Sequence, residues 1–181
     1  MSDSLFSLLR KQLQSDTDHA DAIAAVVLLI SRSESPSILY TRRAMHLRSH
    51  PGEICFPGGM REINDDNLWA TALRETEEEI GLPASEIEFI GRLSAARTRA
   101  GTWVVPFVAS FNADFNLTPA LDELDQIFQI PITQFLEGLK VRVDHFEHQG
   151  KTYSFPVYQY QEHEIWGFTA GVTEQLLRLL K

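Results

Sequence analysis

Residues 74–81 run Arg-Glu-Thr-Glu-Glu-Glu-Ile-Gly, so four carboxylates, Glu75, Glu77, Glu78 and Glu79, fall within five positions. On a helix, Glu75, Glu78 and Glu79 stand at i, i+3 and i+4 and share one face. Like charges at that spacing repel, and the helix gains nothing from them unaided. A divalent cation turns the repulsion into binding, and an all-oxygen, carboxylate-rich donor set suits Mg2+ or Mn2+. Such ions most often work on phosphates. Taken alone, a Glu-rich helix is more often a solvated face than a metal site. Three neighbours weigh against the plainer reading here: Gly58-Gly59 upstream, Arg74 at the head of the run, and a basic segment before both.

That segment holds Arg42, Arg43, His46, Arg48 and His50 in a chain with 16 basic and 25 acidic residues and a net charge of −9. Arginine forks bind phosphate oxygens in bidentate fashion. Arg42 and Arg48 are the expected phosphate contacts, with Arg43 and His50 beside them; the alternative is pairing with local acids such as Glu53. The acidic balance argues against general adhesion to nucleic acid or anionic membrane. The lone Cys55 excludes an internal disulfide and a cysteine-based zinc site, and its apolar neighbours predict a buried small residue. His145, His148 and His163 have no ligand spacing. Trp103, Trp166, Phe107 and Phe168 are candidates for an aromatic wall, with core packing the stronger expectation for the two phenylalanines.

The elements that must position these groups follow from pattern. Amphipathic spacing predicts an N-terminal helix over residues 4–14, within an extension of residues 1–20. Residues 22–30 read as a strand apolar on both faces, too short to span a bilayer as a helix. Residues 38–42 read as its hairpin partner, and 44–52 as an irregular basic loop. A short strand at 53–56 ends where Pro57-Gly58-Gly59 predicts a tight turn. Asn64, Asp65, Asp66 and Asn67 are N-cap candidates for the acidic helix at 68–80, whose apolar side holds Leu68, Ala72, Leu73 and Ile80. Gly81 suits the left-handed position that ends it, and Pro83 prevents continuation. Strands are expected at 86–95, 104–111 and 123–130, a short helix at 132–139, a hairpin of 141–147 and 152–158 around Gln149-Gly150, and a closing helix at 168–180. This pattern implies one domain over residues 1–181, of the α/β class, with a mixed sheet covered on both faces. The pattern of a secretion signal is missing, and a cytoplasmic enzyme is expected.

Gly59-x5-Asp65-x8-Arg74-Glu75-x2-Glu78-Glu79-x-Gly81 resembles the Nudix box, G-x5-E-x7-R-E-U-x-E-E-x-G-U. Upstream, residues 39–43 (Leu-Tyr-Thr-Arg-Arg) and 47–59 (Leu-Arg-Ser-His-Pro-Gly-Glu-Ile-Cys-Phe-Pro-Gly-Gly) resemble the extra signature of the coenzyme A diphosphatase branch. Downstream, Trp166-Gly167-Phe168-Thr169-Ala170-Gly171 is similar to that branch's C-terminal segment. Asp65 stands where the box has Glu, with one extra residue before Arg74, a spacing read as a character of the branch.

The resemblance implies a Nudix fold, an α/β/α sandwich around a mixed sheet. It implies metal-dependent hydrolysis of coenzyme A or its thioesters to 3′,5′-ADP and (acyl-)4′-phosphopantetheine. Glu75, Glu78 and Glu79, with the Gly58 carbonyl, would hold Mg2+ or Mn2+. Glu78 and Glu79 would serve catalysis, with Glu79 or Glu123 as the base. Arg74 would orient a carboxylate, and Asp65 would assist helix entry or a supporting contact. The partner implied is a small molecule of the coenzyme A type, with a homodimer compatible. The rivals are the same chemistry on ADP-ribose or a dinucleotide, a nucleotide-sensing module without turnover, and an RNA-end pyrophosphohydrolase, the last disfavoured by the acidic balance.

Overall fold

A computed structural model describes residues 2–148 and 150–181. The chain runs α1 (Ser2–Gln12), β1 (Ala24–Arg32), β2 (Ser37–Arg43), β3 (Ile54–Cys55), β4 (Gly58–Met60), α2 (Leu68–Ile80), a 3-10 turn at Ala84–Glu86, then β5 (Ile87–Arg92), β6 (Ala96–Arg97) and β7 (Trp103–Asn112). It continues through β8 (Leu124–Pro131), α3 (Ile132–Glu137), β9 (Lys140–His148), β10 (Lys151–Tyr160), β11 (His163–Ile165) and α4 (Gly167–Arg178).

β1 is apolar on both faces because both are covered. It lies parallel to β7 from Ala24↔Val104 to Arg32↔Asn112, while β5 joins β7 antiparallel. Val27, Leu29, Leu39, Val105, Phe107 and Ala109 pack against Leu68, Ala72 and Ile80 of α2. On the other face, Leu28, Ile30, Tyr40 and Val108 meet Phe6 and Leu9 of α1 and Val172, Leu176 and Leu177 of α4. The mixed sheet is thus the middle layer of an α/β/α sandwich. β1 and β2 share one register pair, Ile30↔Ile38; beyond it β4 pairs with β1, and β3 pairs with β2.

Three expectations change. The tight turn predicted at Pro57-Gly58-Gly59 is the entry to β4, whose Gly58 pairs with Val26 and Gly59 with Ala25. β9, β10 and β11 form a second, three-stranded antiparallel sheet, although one sheet was expected. The two-residue β6 and three-residue β11 were not foreseen, being too short for a period to register. Half of the predicted hairpin turn, Gln149, lies outside the described residues; Gly150 takes a positive φ of 73°. Among the described residues no helix is long and apolar enough to cross a membrane.

Candidate active site

α2 begins where Asn67, in an extended conformation, accepts a hydrogen bond from Ala70 N–H through its side chain, a standard N-cap. It ends at Gly81, whose φ of 69° is left-handed, with its N–H donated to the Glu77 carbonyl. Thr71, Ala72, Thr76, Glu79 and Ile80 are on the buried side, while Leu73 is half-buried. The three candidate ligands therefore span a gradient: Glu79 is 5% exposed, Glu75 is half-buried and Glu78 is open to solvent.

Arg74 organises the entrance to this row. Its fork donates Nε to Asp65 Oδ1 and Nη2 to Asp65 Oδ2, both at 3.1 Å. Nη1 donates to Glu75 Oε1 and Glu78 Oε2, each at 3.0 Å, and Nη2 also reaches the Met60 carbonyl at 3.1 Å. One guanidinium thus ties β4, the loop before α2 and two carboxylates together, geometry that an ammonium cannot reproduce. Asp65 is not the helix cap; it is the buried counter-ion of Arg74, which holds its carboxyl down at about 2.

Glu79 is the anomaly. Burial, then the charges of Glu75 and Glu123, push its carboxyl up to about 8, opposed by a backbone hydrogen bond from Gly58 and by Arg43. Its Oε2 is buried without a hydrogen-bond partner. Burial also raises Glu75, with Glu78 and Glu123 adding to the shift against Arg74. Glu123 thus lies within electrostatic reach of both, although it sits far along the chain. The loop over residues 113–123 brings it there by docking on the end of α2. Thr118 N–H donates to the Ile80 carbonyl at 3.0 Å and Ala120 N–H to the Glu79 carbonyl at 2.9 Å. These bonds satisfy carbonyls that every helix end leaves open.

The glycine pair serves close approach. Gly58 has φ 147°, and a Cβ there would meet the Ala25 carbonyl oxygen at 2.2 Å. A Cβ on Gly59 would lie 2.3 Å from Glu75 Oε1. Only glycine lets β4 run this close to the carboxylates.

The basic residues are divided. Alternation along β2 sets Thr41 and Arg43 on one face and Tyr40 and Arg42 on the other. Arg43 acts on Glu79 and Cys55, whereas Arg42 approaches Asp125 at 3.9 Å. The Nε atoms of both are buried and unpartnered. Residues 44–52 form a loop closed at its neck by Arg43 N–H to Glu53 O and Gly52 N–H to Arg43 O, both 3.0 Å. On it, Arg48 is exposed and has no partner among the described residues. His50, at φ 55°, pairs with Glu53 at 2.8 Å, so Glu53 serves His50 and not Arg48. His46 bonds the Asp122 carbonyl at 3.2 Å and Met45 N–H bonds Asp125 at 3.1 Å, joining this loop to the one carrying Glu123.

Cys55 is half-buried beside Thr41, with burial pushing its thiol up to about 11. The four aromatics do not form one wall. Phe107 packs in the core with Trp69 and Phe89, Trp103 stacks with His19 and meets the Arg97 guanidinium over its ring, and Trp166 is exposed at the head of α4. A hollow of about 410 Å3 is lined by Asp18, His19, Ala20, Ala22 and Arg61, not by the acidic row.

The donor set fits a hard cation: its side-chain donors are carboxylates, one has a buried oxygen without a partner, and burial, with like charges adding to it, raises two of them. Among the described residues no three acidic, histidine or cysteine side chains already converge as a ligand cluster, since Arg74 holds Glu75 and Glu78.

Comparison with known proteins agrees with this geometry. The NUDIX domain model matches residues 21–153. An uncharacterized Nudix hydrolase, NudL of Escherichia coli O7:K1, is 34% identical over 174 residues, covering 96% of this chain and 90% of its own. NudL of Shigella boydii serotype 18 matches to the same extent, 34% over 174 residues. Among solved structures, a Caenorhabditis elegans Ap4A hydrolase superposes with a TM-score of 0.53 at 16% identity, over 63% of this chain and 83% of that one. The Mycobacterium smegmatis Nudix hydrolase RenU gives 0.53 at 18%, over 69% and 81%. These two likenesses establish the fold; the family model and the relatives that match nearly the whole chain establish membership. With the carboxylate row on α2 and the glycine pair against it, the chain belongs to the Nudix hydrolases, enzymes that act on phosphorus-containing anhydrides.

Proposed function

We propose that the protein hydrolyses the diphosphate bond of coenzyme A or its thioesters, with Mg2+ or Mn2+ held by Glu75, Glu78 and Glu79. Nudix hydrolases generally use divalent metal ions and act on small molecules. The observation that carries the reading is the Glu79 carboxyl, one oxygen of which is buried and unpartnered, pushed up by burial first and then by the charges of Glu75 and Glu123. A cation relieves that repulsion, and the Gly58 carbonyl at the start of β4 is the further oxygen donor. When bound, the ion neutralises the diphosphate and makes a water acidic.

The chain's own groups do the rest. Glu123 is exposed, and its side chain has no hydrogen-bond or ion-pair partner among the described residues, which suits it to take the proton from the attacking water. Glu79 is the second candidate base. Arg74 fixes Glu75 and Glu78 and is kept from substrate by its own contacts. Arg43, on the carboxylate side of β2, and Arg48, on the loop, bind phosphates. Arg42 faces the other way and is the weaker candidate; His50, paired with Glu53, orients the loop. Support for coenzyme A within the family comes from residues 39–43 and 47–59, which supply more cation than a simple diphosphate requires.

Product analysis with Mg2+ or Mn2+ tests this on coenzyme A, dephospho-coenzyme A, acetyl-coenzyme A, ADP-ribose and diadenosine polyphosphates. Release of 3′,5′-ADP as the fastest reaction is the expected result. Faster cleavage of ADP-ribose would leave the carboxylate chemistry standing and remove the coenzyme A assignment. Binding without turnover would replace it with a sensing role.

A further inference from the structure

Residues 166–171 have a place in the sequence pattern but no role so far. Thr169, in the first turn of α4, is 7% exposed, and its hydroxyl donates to the Ile54 carbonyl of β3 at 2.9 Å. Thr173 donates to the Thr169 carbonyl at 2.9 Å and lies 3.0 Å from the Tyr40 hydroxyl. A threonine has one proton to give, so Tyr40 must be the donor in that pair. Tyr40 and Thr173 thus tie β2 to the Thr169 backbone carbonyl, and the Thr169 hydroxyl makes a separate bond to Ile54; all four residues are buried.

β3 needs such a hold. It has two residues and two register pairs, Thr41↔Cys55 and Arg42↔Ile54. The Glu53 carbonyl already accepts from Arg43 of β2, so the next carbonyl along, that of Ile54, turns away from β2. Thr169 is what satisfies it. What β3 carries matters for the reaction. Glu53 and the loop with Arg48 precede it; Cys55, which feels the charges of Glu79 and Arg43, lies within it. Pro57 and Gly58 follow, delivering the Gly58 backbone to Glu79.

We infer that Thr169 is a positioning residue: from the far side of the sheet it fixes the segment 53–59 against the carboxylate row. This rests on the acidic row being the site of phosphoanhydride cleavage. Thr169→Val keeps the shape, removes the donor and leaves a buried carbonyl unpaired. It is expected to lower kcat/KM about tenfold on the best substrate of the panel above, since small displacements near reacting groups are costly. Thr169→Ser keeps the donor and should restore the rate to within about twofold of the parent. Thr173→Val, which removes the bonds to Tyr40 and to the Thr169 carbonyl but leaves the Thr169–Ile54 bond, is the control for stability alone; it should lower Tm with less effect on kcat.

Amide hydrogen exchange gives a readout independent of substrate. In Thr169→Val, the amides of residues 53–56, 58 and 59 should exchange about tenfold faster while those in the middle of α2 are unchanged. A valine variant with parental kcat/KM, a serine variant as slow as valine, or unchanged exchange at 53–59 would overturn the inference. A parent that cleaves nothing in the panel would overturn the proposed function instead, and the exchange measurement would still decide for or against Thr169.

Discussion

At the scale of single residues, Glu79 couples function to pH. Its folded-state carboxyl sits near 8 against an ordinary value of 4.5. The folded protein therefore holds a proton that the unfolded chain releases between those values. Without cation, the contribution of Glu79 to stability is fully present below about 4.5 and is lost as pH rises through about 8, a loss of roughly 3–5 kcal/mol at most. Denaturant titrations from pH 5 to 9 in chelator should show the slope, and Glu79→Gln should flatten it. A parent with no slope would sink the assignment of Glu79 as the strained group. Glu78 is exposed, so Glu78→Gln should leave Tm within about 2 °C while removing at least about 99% of activity. Arg48→Ala should weaken coenzyme A more than its dephospho form; equal loss on both would deny it a role in reading the 3′-phosphate. The i, i+3, i+4 row was legible in the sequence because helix periodicity is local. That Arg42 and Arg43 face opposite ways follows from strand alternation, but which face meets Glu79 depended on long-range packing. The nearness of Glu123 rests on a loop docking that no local pattern encodes.

At the scale of elements, α2 was legible to its ends, Leu68 and Ile80, because a capping asparagine and a glycine followed by proline punctuate it. β4 was not. Pro57-Gly58-Gly59 has the composition of a turn, yet its glycines serve a strand pressed between β1 and the helix. The two positions should respond differently to alanine. Gly58→Ala drives a Cβ into β1 backbone and should cost on the order of 2–4 kcal/mol or prevent folding. Gly59→Ala meets only a side chain, that of Glu75, so the fold should survive while cation affinity, read by calorimetry, falls at least about tenfold. Unchanged affinity in a folded Gly59→Ala would show that Glu75 is not a ligand.

For the whole molecule, the two-faced apolar character of residues 22–30 announced a covered sheet, and the sandwich follows from it. The second sheet was hidden because strand pairing is chosen by partners distant in sequence. A cation that binds only the folded chain should raise Tm with its concentration as mass action requires. It should also release protons from Glu79 below about pH 8, detectable as a dependence of the binding heat on buffer ionisation. The docking of residues 118 and 120 on the last carbonyls of α2 bears on the order in which the protein is made. The helix closes its own bonds early, between near neighbours, whereas Glu123 reaches Glu79 only after a long loop has been shut. Refolding should regain helix signal first and activity later, and stopped-flow traces in which both return together would refute that order. For an interval, then, the chain would carry the carboxylate row of α2 without the base that works beside it, folded in outline and inert.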